Sequence, residues 1–264
     1  MTPILILGAG RMGGALIEGW RRGGAIAVGH LMLRDPHPGL IAMAAAEDGA
    51  RLNPPQAELK DAPTVLLAVK PQVWRAVAAE VAPLLAPDAV IVSIAAGVPT
   101  QALSEAFGGR AVARVMPTTA VALGKGVASL VSTTPEAAAR ARALFGPVAT
   151  VVDLADEALM DVATAVSGSA PAYLYAFIEA LEAAGQGQGL TPDAARQLVR
   201  HTLIGAAALL EDTGEEPAEL RRQVTSPGGT TEAALKVLMG DAGLEPLLAQ
   251  AVAAAVRRGR ELGG

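Results

Sequence analysis

A strand-like run, a glycine turn and a helix-like run open this chain, and they restrict its fold more than any other stretch. Pro3 to Leu7 is short and apolar, as a buried strand is. Gly8-Ala-Gly10-Arg-Met-Gly13-Gly14 follows at once, and Ala15-Leu-Ile-Glu-Gly-Trp20 continues with a helical pattern. This is a G-x-G-x-x-G turn with a strand before it and a helix after it, the setting that gives the motif meaning. Gly8 makes the tight turn, Gly10 lets a pyrophosphate approach the backbone, and Gly13 lets the helix pack on the strand. A glycine-rich turn without a ligand is the alternative.

The next segments extend the same architecture. Leu31-Met-Leu33 reads as a second strand. The residue at its tip selects the cofactor: an acid bonds a ribose 2′-hydroxyl, and an arginine pairs with a 2′-phosphate. The sequence offers both, Arg34 and Asp35. Arg34 is taken as the tip, which points to NADPH and leaves NADH possible, because guanidinium matches phosphate geometry. Thr64 to Val69 is a strand ending in Lys70-Pro71-Gln72, and a helix is expected from about Val73 to Leu85. Further strands are Ala89 to Ile94, ending in Ala95-Ala96-Gly97, and Ala111 to Val115, ending in Met116-Pro-Thr-Thr119. Their tips are expected on the carboxyl edge of a parallel sheet, where open α/β folds hold ligands. Ala68, Val69, Lys70 and Pro71, with Ser93 to Gly97 and so Ala95, should therefore flank the cofactor. Two more strands, near Gly126–Val131 and Val148–Val152, bracket a helix from Glu136 to Leu144.

After Asp153 the strand signals stop. The expectation is a dinucleotide-binding domain over 1–154 and an all-helical domain over 155–264. Breaks are expected at Gly185-Gln-Gly-Gln-Gly189, at Thr213-Gly214 and at Ser226–Gly229. Thr191-Pro192-Asp193 has the order of a helix start: cap, first-turn proline, acid. Ser167-Gly-Ser-Ala-Pro-Ala-Tyr173 reads as a helix kink or as part of a site. Val224-Thr-Ser-Pro-Gly-Gly-Thr-Thr-Glu-Ala-Ala-Leu235 runs from a rigid turn into a helix that Thr230 or Thr231 can cap, with Glu232 in the acid-favouring first turn. Such a turn aims backbone N–H groups at one point, a seat for a small anion.

Composition removes several classes of function. The 264 residues are 52% apolar but only 3% aromatic, so alanine, valine and leucine carry the core. A net charge of -5 argues against a general nucleic-acid binder. There is no cysteine, hence no disulfide, thiolate catalysis or Cys-based zinc site. His30, His37 and His201 form no paired ligand motif, so no metal is expected. The amino terminus lacks a basic, signal-like region, and no apolar run nears the ~18 residues of a membrane span. A cytoplasmic location is the expectation.

GAGRMGGA at 8–15, AVKP at 68–71, SIAAGV at 93–98, SGSAPAY at 167–173 and VTSPGGTTEAAL at 224–235 together resemble the pyrroline-5-carboxylate reductases. The last stretch looks like the family signature. The resemblance implies an α/β chain, a Rossmann-like domain followed by a helical dimerisation domain. It also implies a homodimer that can assemble further, up to a decamer, acting on a small molecule and not on nucleic acid or membrane. By the same resemblance, NAD(P)H lies across Gly8, Ala9, Gly10, Arg11 and Met12, with Arg34 and Ala68 to Pro71. Substrate lies near Ser226, Gly229, Thr230 and Thr231, with Ser226 and Thr231 carrying the catalytic contacts. Two departures stand out: Met116-Pro-Thr118-Thr-Ala120 replaces the family's Met-x-Asn-x-Pro, and Ala170 replaces a glycine. A β-hydroxyacid dehydrogenase is the rival enzyme, but it needs a lysine early in the helical half, and none lies between Lys125 and Lys236. A non-catalytic NADP-binding sensor is the other rival, although it has no use for Ser226–Thr231.

Overall fold

Apolar runs without polar alternation make strands buried on both faces, and those runs build the sheet here. The computed structural model describes residues 1–263. Among them, one eight-stranded sheet has the order β3-β2-β1-β4-β5-β6-β7-β8. The strands are β1 (Ile4–Leu7), β2 (Leu31–Arg34), β3 (Arg51–Leu52), β4 (Thr64–Leu67), β5 (Val90–Ser93), β6 (Val112–Pro117), β7 (Gly126–Ser132) and β8 (Ala149–Asp153). Helices α1 (Arg11–Gly23), α2 (Leu40–Glu47), α3 (Trp74–Val81), α4 (Thr100–Ala106) and α5 (Pro135–Phe145) accompany them.

The pleat sorts side chains into two cores. Ile4, Ile6, Leu31, Leu33, Leu66, Val90 and Val92 pack on the face covered by α1, α2 and α5. Leu5, Leu7, Met32, Val65, Leu67 and Ile91 pack on the other face, with residues of α3 and α4. Trp20, fully buried on α1, donates its indole N–H to the Leu144 carbonyl at 2.7 Å and ties α1 to α5.

The structure corrects two expectations about this sheet. It is not parallel throughout: β7 runs antiparallel to β6, and β8 then runs parallel to β7. The connection at 118–125 is a short helical turn, too short for the crossover that a parallel neighbour requires. The helix expected to reach Leu85 stops at Val81 and tightens into a 3-10 turn at Ala82–Leu84, where Pro83 cannot donate a backbone hydrogen bond.

Beyond β8 the chain is helical: α6 (Met160–Ala163), α7 (Ala170–Gly187), α8 (Pro192–Thr213), α9 (Pro217–Gln223), α10 (Thr230–Leu238) and α11 (Leu244–Gly263). Two compact units are formed, one from Met1–Gly168 with the chain from Val256 onward, the other from Ser169–Ala255. The break expected at Gly185 begins later. Helix α7 absorbs Gly185 and Gly187 and ends when Gly189 adopts φ +101°. Gly189 and Leu190 then donate back to the Gln186 and Gly185 carbonyls at 3.0 and 3.1 Å, a Schellman ending. At α8 the expected start is present: the Thr191 side chain accepts from the Ala194 N–H at 3.3 Å, ahead of Pro192 and Asp193. Among the described residues no helix is long and apolar enough to cross a membrane.

Candidate cofactor cleft and anion turn

The first site grows from the turn between β1 and α1. Gly8 sits at φ +92°, and a Cβ there would lie 2.9 Å from the Val69 side chain and 3.0 Å from the Ala68 carbonyl oxygen. A Cβ on Gly13 would come within 2.4 Å of the Gly8 carbonyl oxygen, so any side chain would drive the helix off the strand. Around Gly10 a Cβ would meet nothing within 4 Å; its glycine keeps open the space beside the turn. Gly10 takes the cap position of α1, with no side-chain cap and no acid in the helix's first turn. Its leading N–H groups, from Arg11 and Met12, face outward without an intrahelical acceptor. These features fit the pyrophosphate of a dinucleotide.

Beside the turn lies a cleft of about 840 Å³. Of the residues expected at the cofactor, Gly8, Gly10, Arg34, Ala68, Val69 and Lys70 line it. Ala9, Arg11, Met12, Gly13, Pro71, Ala95 and Gly97 do not line it. Ala95 is buried among the core residues under α3 and α4, and Gly97 turns the chain after β5 at φ +73°.

Arg34 is the last residue of β2, in register with Leu7 at the end of β1. Its guanidinium pairs with the Glu80 carboxylate of α3, and both residues line the cleft. Asp35 has another task. Its carboxylate accepts the Ala9 N–H and the His37 N–H, each at 2.8 Å, so it braces the glycine turn. Both carboxylate oxygens are thereby engaged by backbone donors, and Asp35 lines the cleft beside Arg34.

Sequence reading missed the far wall, where His37, Asn53, Pro54, Pro55, Val77 and Glu80 contribute. Strand β3 has only two residues, too few for an alternation to register. Asn53 follows it in the left-handed region at φ 48°, a conformation asparagine tolerates. Its side chain brackets Asp35, accepting the Asp35 N–H at 3.0 Å and donating to the Asp35 carbonyl at 2.9 Å. The Asn-Pro-Pro sequence was the available signal, since it marks a turn.

The second site lies in the helical unit. The Ser226 carbonyl accepts the Gly229 N–H at 3.0 Å, with Pro227 and Gly228 between them and Gly228 at φ +74°. This is the residue order of a type II turn, proline then a left-handed glycine. Neither threonine caps α10, contrary to expectation. Gly229 takes the cap position in an extended conformation, which places Thr230 inside the first turn. The Glu232 carboxylate reaches back and accepts the Gly228 N–H at 2.5 Å. That contact fixes the turn against the helix and leaves the Thr230 and Thr231 N–H groups at the helix start without an intrahelical acceptor. Ser226 and Thr230 are exposed, and Thr231 and Gly229 are half-buried. The turn therefore brings Ser226, Gly229, Thr230 and Thr231 into one short segment at the positive end of a helix dipole.

The Ser167–Tyr173 stretch occupies a π-helical turn, Thr164–Gly168, and the start of α7. The Ser167 hydroxyl donates back to the Ala163 carbonyl at 2.8 Å.

Comparison with known proteins agrees with both halves. Residues 157–262 match the family model for pyrroline-5-carboxylate reductase dimerisation, and residues 3–97 match a model described as NADP oxidoreductase, coenzyme F420-dependent. A pyrroline-5-carboxylate reductase of Pseudomonas aeruginosa is 42% identical, over 99% of this chain and 97% of the relative. The solved structure of a pyrroline-5-carboxylate reductase from Coxiella burnetii superposes with a TM-score of 0.91 at 29% identity, covering 100% of this chain and 99% of that one. The Plasmodium falciparum pyrroline carboxylate reductase, solved with NADP bound, gives a TM-score of 0.84 at 25% identity, covering 100% and 98% of the two chains.

Proposed function

The chain belongs to the pyrroline-5-carboxylate reductases, and from that premise we propose how its own residues reduce 1-pyrroline-5-carboxylate to L-proline, the last step of proline synthesis. The observation that carries the reading is the pairing of two uncapped helix starts with different surroundings. One, at α1, sits beside a cleft with room for a nucleotide. The other, at α10, sits behind a tight turn, and the Ser226–Thr231 segment carries three hydroxyl side chains and no basic group. The first suits a pyrophosphate and the second a small carboxylate.

On this reading the α1 N–H groups of Arg11 and Met12 hold the pyrophosphate of NADPH, and Arg34 receives the 2′-phosphate. Asp35 keeps the glycine turn in shape through Ala9. Ala68 to Pro71, Ala95 and Gly97 carry the chain past the nicotinamide end. NADH remains a usable second cofactor. When bound, the reduced nicotinamide supplies the hydride that saturates the C=N carbon of the substrate.

The helical unit's residues hold that substrate. Ser226 Oγ and the N–H groups of Thr230 and Thr231 bind the carboxylate, Gly229 permits its close approach, and the Thr231 hydroxyl faces the ring nitrogen. Hydride acceptance requires an electron-poor carbon, so the bound species is the protonated iminium, formed in solution. No residue then has to deliver a proton in the chemical step. The residues contribute orientation and a hydrogen bond to the nitrogen as it becomes an amine.

The functional boundary falls between residues 154 and 155, supported by the end of β8 at Asp153 and the start of the dimerisation match at 157. The 155–264 half pairs with a second copy, and such dimers assemble further, up to a decamer. Exposed apolar side chains on α7 and α8 and the dimerisation match support the pairing. The absence of cysteine supports a cytoplasmic location.

A β-hydroxyacid dehydrogenase mechanism lacks its lysine in this chain, and a cofactor sensor has no use for the Ser226–Thr231 turn. Adding 1-pyrroline-5-carboxylate to the protein with NADPH should oxidise the cofactor and yield proline. Reduction of NADP+ by a β-hydroxyacid, with no oxidation of NADPH by the cyclic imine, would reverse the assignment.

A further inference from the structure

We propose that Glu80 is a specificity-determining residue, an internal anion that occupies Arg34 and so lowers the preference for a phosphorylated ribose. The inference rests on the reading of Arg34 as the partner of the 2′-phosphate. Three observations carry it. Glu80 and Arg34 are ion-paired and both face the same cleft. Asp35, the acid that follows Arg34, already has a backbone donor on each carboxylate oxygen, the Ala9 and His37 N–H groups. Glu80 lies one residue before the end of α3, where a carboxylate meets the negative end of the helix dipole. Helix stability therefore gives no reason for an acid at this position, whereas the charge of Arg34 does.

The consequence differs between the two cofactors. With an unphosphorylated ribose the Arg34–Glu80 pair stays intact, and no guanidinium is left without a counterion. With a 2′-phosphate the guanidinium has to serve a second anion, and Glu80 becomes its like-charged neighbour. Lys70, His37 and Asp35 also line the cleft. The Glu80 side chain is 55% exposed, so solvent screens the effect and it should be small.

The test is titration calorimetry of the full chain with adenosine 2′,5′-bisphosphate and with AMP, which separates binding from turnover. Glu80→Gln should tighten the bisphosphate roughly twofold to fivefold, as expected for one exposed pair, and leave AMP unchanged. In an Arg34→Ala background the same substitution should give a smaller gain for the bisphosphate, from direct repulsion alone, and none for AMP. Unchanged or weaker bisphosphate binding by Glu80→Gln, with Arg34→Ala weakening the bisphosphate and not AMP, overturns the role of Glu80 and leaves that of Arg34 standing. Tightening shared by AMP overturns it as well, because the effect would then be general electrostatics. Arg34→Ala that weakens the bisphosphate no more than AMP removes the 2′-phosphate reading and the inference with it.

Discussion

Strands β1 and β4 bury every residue along their length, while α7, with 18 residues, buries none. The contrast holds across the two units. The sheet unit closes two cores on its own side chains. The helical unit keeps Leu174, Phe177, Leu181, Leu198, Ile204 and Leu209 exposed. A soluble monomer rarely shows so many large apolar residues together, so this surface is built to be covered. The two candidate sites differ in the same way. The cofactor cleft is walled by several strand ends and fixed by close backbone approaches, whereas the anion turn depends on one tight turn and one helix start.

The largest expected effect is at the helical surface. Leu174, Phe177 and Leu181 share one face of α7, and each large side chain returned to apolar cover is worth about 1.5–3 kcal/mol. Leu174→Glu with Leu181→Glu should reduce the assembly to smaller species by light scattering. Leu40→Glu on α2, where Leu40 is 86% exposed in the sheet unit, should leave the mass unchanged. Dissociation by Leu40→Glu and not by the α7 pair would reverse the comparison. Next comes Gly13→Val, which places side-chain atoms against the Gly8 carbonyl. Overpacking of this kind costs about 1–3 kcal/mol, and it should appear in calorimetry as lost NADPH affinity. Retained affinity would mean that the turn is not the pyrophosphate seat. Smaller again is Arg34→Ala. It should raise the KM for NADPH about tenfold, the low end for a hydrogen bond to a charged group, and leave NADH nearly unchanged.

The sheet unit was legible because its signals are local and dense. Apolar runs, a glycine turn at a fixed offset and helical stretches between strands lead directly to a doubly wound sheet. What escaped was set by neighbours rather than by pattern. The reversal at β7 follows from the length of the 118–125 connection, and β3 is too short to leave a period. The bracing of the glycine turn by Asp35 and the pairing of Glu80 could not be read from sequence, since Ala9 and Arg34 lie 26 and 46 residues away from them. At the anion turn the composition announced a helix start, yet the capping residue was misassigned. Glycine takes the cap position without a side-chain acceptor, and Glu232 reaches back to Gly228 and fixes the turn. The exposed face of the helical unit was not legible from composition, because alanine-rich helices look alike whether they pack within a chain or between chains.

The most direct measurement is steady-state kinetics of Thr231→Ala with 1-pyrroline-5-carboxylate, paired with the Kd for NADPH on the same preparation. Loss of one hydrogen bond to a charged group should lower kcat/KM on the order of tenfold to a hundredfold. NADPH affinity should not change, since the cofactor is assigned to the other unit. Unchanged kinetics, or a fall in kcat/KM that follows an equal loss of NADPH binding, would contradict the division of the two ligands between the glycine turn and the Ser226–Thr231 turn.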